Sequence, residues 1–174
     1  MKEIPRESLT RNEIKFMEIA WEYAKLSNCN EANYGAIVVK NDLVLGTGFN
    51  HTIEDNLACN KCPRRTLDVH FGVASDLCYA LHAERNAVHD AKKNHPRVNL
   101  KDAKIYVGKR KNGEIKPTRG KPYCTNCAKE IYFSGIKDII FYSKNGGFLV
   151  FDSFEFLISS YLNLMNAYKE QLKL

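Results

Sequence analysis

Residues 121–143 read KPYCTNCAKEIYFSGIKDIIFYS. Cys124 and Cys127, three apart, stand where a helix should begin; the helix runs to about Phe133, with Gly135 as its natural C-cap. KDIIFYS, with its β-branched and aromatic residues, predicts a strand directly after it. AKIYVG, near 103–108, supplies a strand before it. Between them lies KRKNGEIKPTRGK, a basic loop that Gly113, Pro117 and Gly120 should keep irregular.

Working outward, LHAERNAVHDA at 81–91 opens a helix expected over 82–93. Ala83, Ala87 and Val88 can face a sheet, Glu84, Arg85 and Lys92 suit polar faces, and Asn94 and Pro96 end the helix. NYGAIVVK and LVLGTGF flank the polar pair Asn41-Asp42 and predict a hairpin, about 34–39 and 43–49. Thr10 and Glu13 form a capping-box pair ahead of Ile14, Met17, Trp21 and Ala24, which recur at helical spacing over 11–26. Gly146-Gly147 interrupts the chain before FLVF, and a long helix with a broad apolar side follows at about 153–170. Such a side suits core packing or an oligomer contact. Helix, hairpin, helix, strand, helix, strand, helix predicts a mixed sheet covered by helices: an α/β fold, a three-layer α/β/α sandwich. One domain over 1–174 is expected, interrupted by a Cys-rich insertion at about 51–80.

Composition excludes several classes. The chain is 44% hydrophobic and 26% charged, as globular chains are. It holds no apolar run long enough to span a membrane, and MKEIPRESLTRNE lacks the apolar region of a signal peptide, so a cytoplasmic protein is expected. The formal net charge of +6 favours an anionic partner, a phosphorylated small molecule or a nucleic acid. Neither a Walker-type loop nor a dinucleotide fingerprint occurs, so ATP and NAD are not implied. Six cysteines in a chain of this kind point to metal ligation before disulfides.

His82 begins one helix, and Cys124 and Cys127 begin another. A helix N-terminus favours thiolates, the forms that bind metal. If the two N-termini meet on one face of the sheet, one imidazole and two thiolates leave the fourth position of a zinc ion for water. Zinc lowers the pKa of that water. Glu84, two residues past His82, need not ligate the ion and can carry protons between water and substrate. H-A-E and C-x-x-C on successive helices together point to a catalytic Zn2+; a structural zinc and a dithiol redox pair are the alternatives.

Three stretches, GAIVVKNDLVLGTGFN, LHAERNAV and KPYCTNCAKEIYFSGIKDIIFY, resemble the cytidine and deoxycytidylate deaminase superfamily. The resemblance implies a cytidine deaminase-like fold, with His82, Cys124 and Cys127 as zinc ligands and Glu84 as proton shuttle. It implies that the Ala83 backbone contacts the base and that Asn50 binds sugar hydroxyls, where a turn-forming Asn is the plainer role. In the family's usual second motif Pro directly precedes the first Cys; here Tyr123 stands between Pro122 and Cys124. Tyr142, ending a strand, lines a base pocket or simply packs.

CPRRTLDVHFGVASDLCYALHAERNAV resembles the deoxycytidylate branch, some members of which carry an additional zinc. Cys59 and Cys62 have metal-knuckle spacing, and Cys78 follows sixteen residues after Cys62. A second, structural zinc there would draw its fourth ligand from His51, His70 or Cys29; buried free thiols are the alternative. Arg64 and Arg65 can grip a substrate phosphate or serve as solvated surface charge. The expected reaction is hydrolytic deamination of a cytosine nucleotide, dCMP to dUMP with ammonia release. Alternatives are a tRNA adenosine deaminase, a deaminase of a free nucleoside, purine base or related heterocycle, and a non-catalytic zinc-containing RNA-binding protein. The resemblance also implies a homo-oligomer.

Overall fold

A computed structural model describes residues 1–52, 62–69, 73–118, 120–122 and 124–172. In chain order the elements are β1 (Lys2–Ile4), α1 (Arg11–Ala24), β2 (Asn33–Lys40), β3 (Leu43–Phe49), α2 (Pro63–Thr66), α3 (Ala83–Asn94), β4 (Lys104–Lys111), β5 (Glu114–Ile115), α4 (Thr125–Phe133), β6 (Asp138–Tyr142), β7 (Phe148–Asp152) and α5 (Ser153–Leu172). The strands form one mixed sheet in the order β1-β7-β6-β4-β2-β3, with β5 paired to β4. Its β4–β6 pair is parallel and the other pairs are antiparallel.

Alternation along the central strands sorts side chains into two layers. Ile37, Val39, Tyr106 and Ile140 meet Phe16, Met17 and Ala20 of α1 on one face. Ala36, Val38, Ile105, Val107 and Ile139 meet α3, α4 and Phe156 of α5 on the other. This is the three-layer sandwich expected of the sequence. The capping box forms as well: the Thr10 N–H donates to Glu13 Oε2 at 2.9 Å, and the Glu13 N–H donates to Thr10 Oγ1 at 3.2 Å. Asn41 and Asp42 both take positive φ, 50° and 59°, as a tight two-residue hairpin turn requires.

Three strands were not anticipated. The basic stretch expected to be irregular extends β4 to Lys111 and turns back into β5. Asn112 and Gly113 make that turn with φ of 53° and 78°, the mirror-image geometry that favours hairpins. FLVF is β7, antiparallel to β6, so the second half of the sheet is also a hairpin. Lys2–Ile4 then covers β7 as an edge strand. Among the described residues no helix is long and apolar enough to cross a membrane.

Two glycines fix how α3 rests on the sheet. A Cβ on Gly46 would lie 2.4 Å from both Ala87 O and Ala91 N. A Cβ on Gly48 would lie 2.4 Å from Ala87 N and 2.5 Å from Ala83 O. The helix therefore lies directly on the β3 backbone, and Ala83, Ala87 and Ala91 are fully buried there. That contact places the first turn of α3, and with it His82 and Glu84.

Candidate functional site

His82 is the N-cap of α3 and Cys124 the N-cap of α4. Both helices pack on the same face of the sheet, so their first turns converge. His82 Nδ1 lies 3.2 Å from Cys127 Sγ, and the Cys127 N–H donates to Cys124 Sγ at 3.3 Å. The ligand-capable atoms of His82, Cys124 and Cys127 all fall within 4.8 Å of one another. Zinc–sulfur and zinc–nitrogen bond lengths put tetrahedral ligands roughly 3.5–3.8 Å apart, so these donors fit a zinc ion with little adjustment. Among the described residues no other group of three His, Cys, Asp or Glu side chains meets this geometry.

The electrostatics of the protein groups suit metal binding. Hydrogen bonding to Cys127 and then the His82 charge outweigh burial and pull the Cys124 thiol down to about 4. The Cys124 sulfur and burial push Cys127 up. Burial works against a charged His82, but the Cys124 and Cys78 sulfurs outweigh it and raise its pKa. Glu84 is half-buried beside the cluster, its Oε2 at 4.0 Å from Cys127 Sγ. Burial raises its carboxyl above the usual range against the opposing pull of His82. A carboxyl so placed can hold and release a proton close to the ligand set.

A cavity of about 510 Å³ opens over these groups. Asn50, Arg64 and Arg65 line it together with His82, Glu84 and Cys124. Ala83 is fully buried as the first residue of α3. The Asn50 side chain accepts from the Tyr34 N–H at 2.6 Å and donates to Ala32 O at 2.9 Å, so it braces the strand entry as well as facing the cavity. Arg65 pairs with Glu31 across the mouth. From the basic hairpin and the stretch after it, Lys109, Lys111 and Lys121 add positive charge to the wall. The sequence marked these lysines as a basic stretch suited to a phosphate or RNA, or as ordinary exposed charge.

Other expected residues lie elsewhere. Tyr142 packs edge-on against Trp21, ring centres 5.1 Å apart, in the α1 layer; it is Phe141, one residue earlier, that lines the cavity. Among the described residues, those suggested for a second zinc are not gathered into one group. Cys78 bonds through its sulfur to His82 of the first cluster, which lowers its pKa. The His51 ring lies 3.0 Å from Asn86 Nδ2, and its backbone bridges Leu81. Cys29 and Cys62 line the cavity, and Cys59 and His70 lie outside the described residues. Asn86, which sequence reasoning passed over, also donates to Phe49 O at 2.7 Å and so ties α3 to the end of β3. Its position three residues into α3, polar on a helix that faces a sheet, was the available signal.

Residues 10–143 match the family described as the cytidine and deoxycytidylate deaminase zinc-binding region. A deoxycytidylate deaminase of Schizosaccharomyces pombe is 32% identical over 131 residues, which cover 74% of this chain and 36% of that protein. The chain thus spans about a third of that longer relative. A deoxycytidylate deaminase of Mycobacterium phage D29 is 34% identical over 131 residues, 72% of this chain and 90% of the phage protein. A crystal structure of cytidine deaminase from Burkholderia pseudomallei, 17% identical, superposes with a TM-score of 0.50 over 83% of this chain and 94% of that one, and shares the fold.

Proposed function

Because this chain belongs to the cytidine and deoxycytidylate deaminase family, a family of zinc-dependent hydrolases, we propose that it converts dCMP and water to dUMP and ammonia. The observation that carries this is the convergence of His82, Cys124 and Cys127 with Glu84 in a cavity that Arg64 and Arg65 also line. The described residues act as parts of one catalytic domain.

His82, Cys124 and Cys127 would hold the ion. Zinc bound there supplies Lewis acidity and acidifies water near neutrality. Glu84 takes a proton from the attacking water and gives it to the ring nitrogen as the new carbon–oxygen bond forms. It then takes the proton of the new hydroxyl and delivers it to the amino group, and the carbon–nitrogen bond breaks to release ammonia and leave the carbonyl. Burial suits this work, because a carboxylate whose pKa is raised accepts a proton from water more readily than an ordinary one. Arg64 and Arg65, which line the cavity, would meet the 5′-phosphate, with Lys109, Lys111 and Lys121 adding to the field. Asn50 braces the strand entry and can present its remaining hydrogen-bonding capacity to the sugar. A homo-oligomer would form on the outer side of α5.

Ammonia release from dCMP, deoxycytidine, CMP and an adenosine-containing tRNA loop tests the substrate. Turnover of dCMP well above deoxycytidine is expected; turnover of the tRNA loop alone would refute the assignment. Glu84→Gln should retain zinc and lose nearly all turnover. Full activity in that variant would remove Glu84 from the proton path.

A further inference from the structure

The outer side of α5 is more apolar than a solvent-facing helix side should be. Phe154, Ile158, Leu162, Met165, Tyr168 and Leu172 are each between 41% and 62% exposed. At 3.6 residues per turn they and Tyr161 fall within about a third of the helix circumference, in a stripe about 27 Å long. The inner side is occupied by Ser153, Phe156, Ser160 and Ala167, mostly smaller groups. Tyr132 and Phe133 of α4 widen the stripe, with the Tyr132 ring 5.9 Å from that of Phe154. Side chains of this size, about half exposed, together offer on the order of 900 Å². A stable pairing buries about 800 Å² on each partner.

The order of residues says what covers it. About a point near Asn163 the stripe is nearly its own mirror. Phe154 stands as far from that point as Leu172, Ile158 as far as Tyr168, and Tyr161 as far as Met165. We propose that a second copy of this chain docks here, its α5 antiparallel to the first across a two-fold axis near residue 163. A two-fold contact requires a patch complementary to itself, and this spacing supplies one. The antiparallel arrangement sets an aromatic residue against an aliphatic one at each of these pairs: Phe154 against Leu172, Tyr168 against Ile158 and Tyr161 against Met165. It also brings Lys169, the charge on this arc, toward the Glu155 end of the second copy, and it opposes the two helix dipoles.

This names the surface for the homo-oligomer and rests on that part of the proposal, not on the substrate. Mass in solution and ammonia release are separate measurements, so either can fail alone. Sedimentation equilibrium of the zinc-loaded protein at about 10–100 μM should give a dimer or a multiple of one. Leu162→Glu with Met165→Glu should halve that mass or reduce it to monomer, and both side chains are exposed enough to change without touching the core. Circular dichroism verifies that the variant is folded. Leu162→Cys, close to the axis, should yield a disulfide-linked dimer on mild oxidation that the wild type does not. A wild-type monomer at 100 μM, an unchanged mass in the folded double variant, or no cross-link at position 162 would each overturn the proposal.

Discussion

Gly48→Ala is a sharp test of how the fold sets the site. The new Cβ would stand 2.4 Å from Ala87 N and 2.5 Å from Ala83 O, about 1 Å inside ordinary contact distance. Both atoms are backbone, so no side-chain rotation relieves the clash, and α3 must lift from β3. Overpacking of this kind costs about 1–3 kcal/mol. For a chain of this length that lowers Tm by roughly 2–12 °C. The lift falls on the first turn of α3, beside Glu84 and the His82 cap. A 1 Å misplacement of reacting groups costs about 10²-fold in rate. The expected result is a folded, zinc-bearing variant with kcat for dCMP reduced by about two orders of magnitude. Gly46→Ala is the control: its Cβ would strike Ala87 O and Ala91 N, farther along the helix. It should lose similar stability and much less activity. A Gly48→Ala variant within threefold of wild-type kcat, or a Gly46→Ala variant equally impaired, would refute the idea that this contact calibrates the site.

Other outcomes follow from single contacts. Asn86→Ala removes the donor to Phe49 O and the partner of the His51 ring, and should cost about 1–3 kcal/mol, read as a lower denaturant midpoint. Metal analysis should find one zinc per chain in the wild type and in Cys62→Ser, and almost none in Cys127→Ser; two per chain would revive the second site. Glu130 is partly buried, which raises its pKa, but Lys92 at 2.9 Å and His89 at 3.7 Å outweigh that and hold it below the usual carboxylate range. Its contribution is therefore present at neutral pH and lost as pH falls through that lowered value. Glu130→Gln should cost under about 1 kcal/mol at pH 7, with the gap from wild type closing in acid.

The long elements were legible because each carries a local physical signal. Thr10 and Glu13 cap α1 by their own reciprocal bonds, and Asn41-Asp42 turns the first hairpin. The cluster of candidate ligands could be marked because Cys124 and Cys127 keep a spacing, three residues across one helical turn, that survives whatever the fold does elsewhere. What stayed hidden depended on partners distant in sequence. β1 is three residues long and becomes a strand only because β7 offers it an edge. Alternation along β6 sends Phe141 and Tyr142 to opposite faces, but only the placement of α3 and α4 decides which face holds the cavity. Cys78 has metal-knuckle company in sequence, and its contact with His82 arises from the path of the chain that returns it to the first cluster.

The bridge between His51 and Leu81 has a consequence for how such a site can diversify. Their backbones exchange two hydrogen bonds, 3.2 Å and 3.0 Å, immediately before His82 and immediately after Asn50. The chain between them leaves and returns through one clamp. Its length and composition are thereby uncoupled from the position of the ligand that follows. Closing a loop twice as long costs only about 0.6 kcal/mol more. Arg64 and Arg65 belong to that enclosed stretch, while His82 and Glu84 lie beyond it. A lineage can therefore rewrite that part of the cavity wall, by insertion or deletion, without renegotiating the positions of His82 and Glu84.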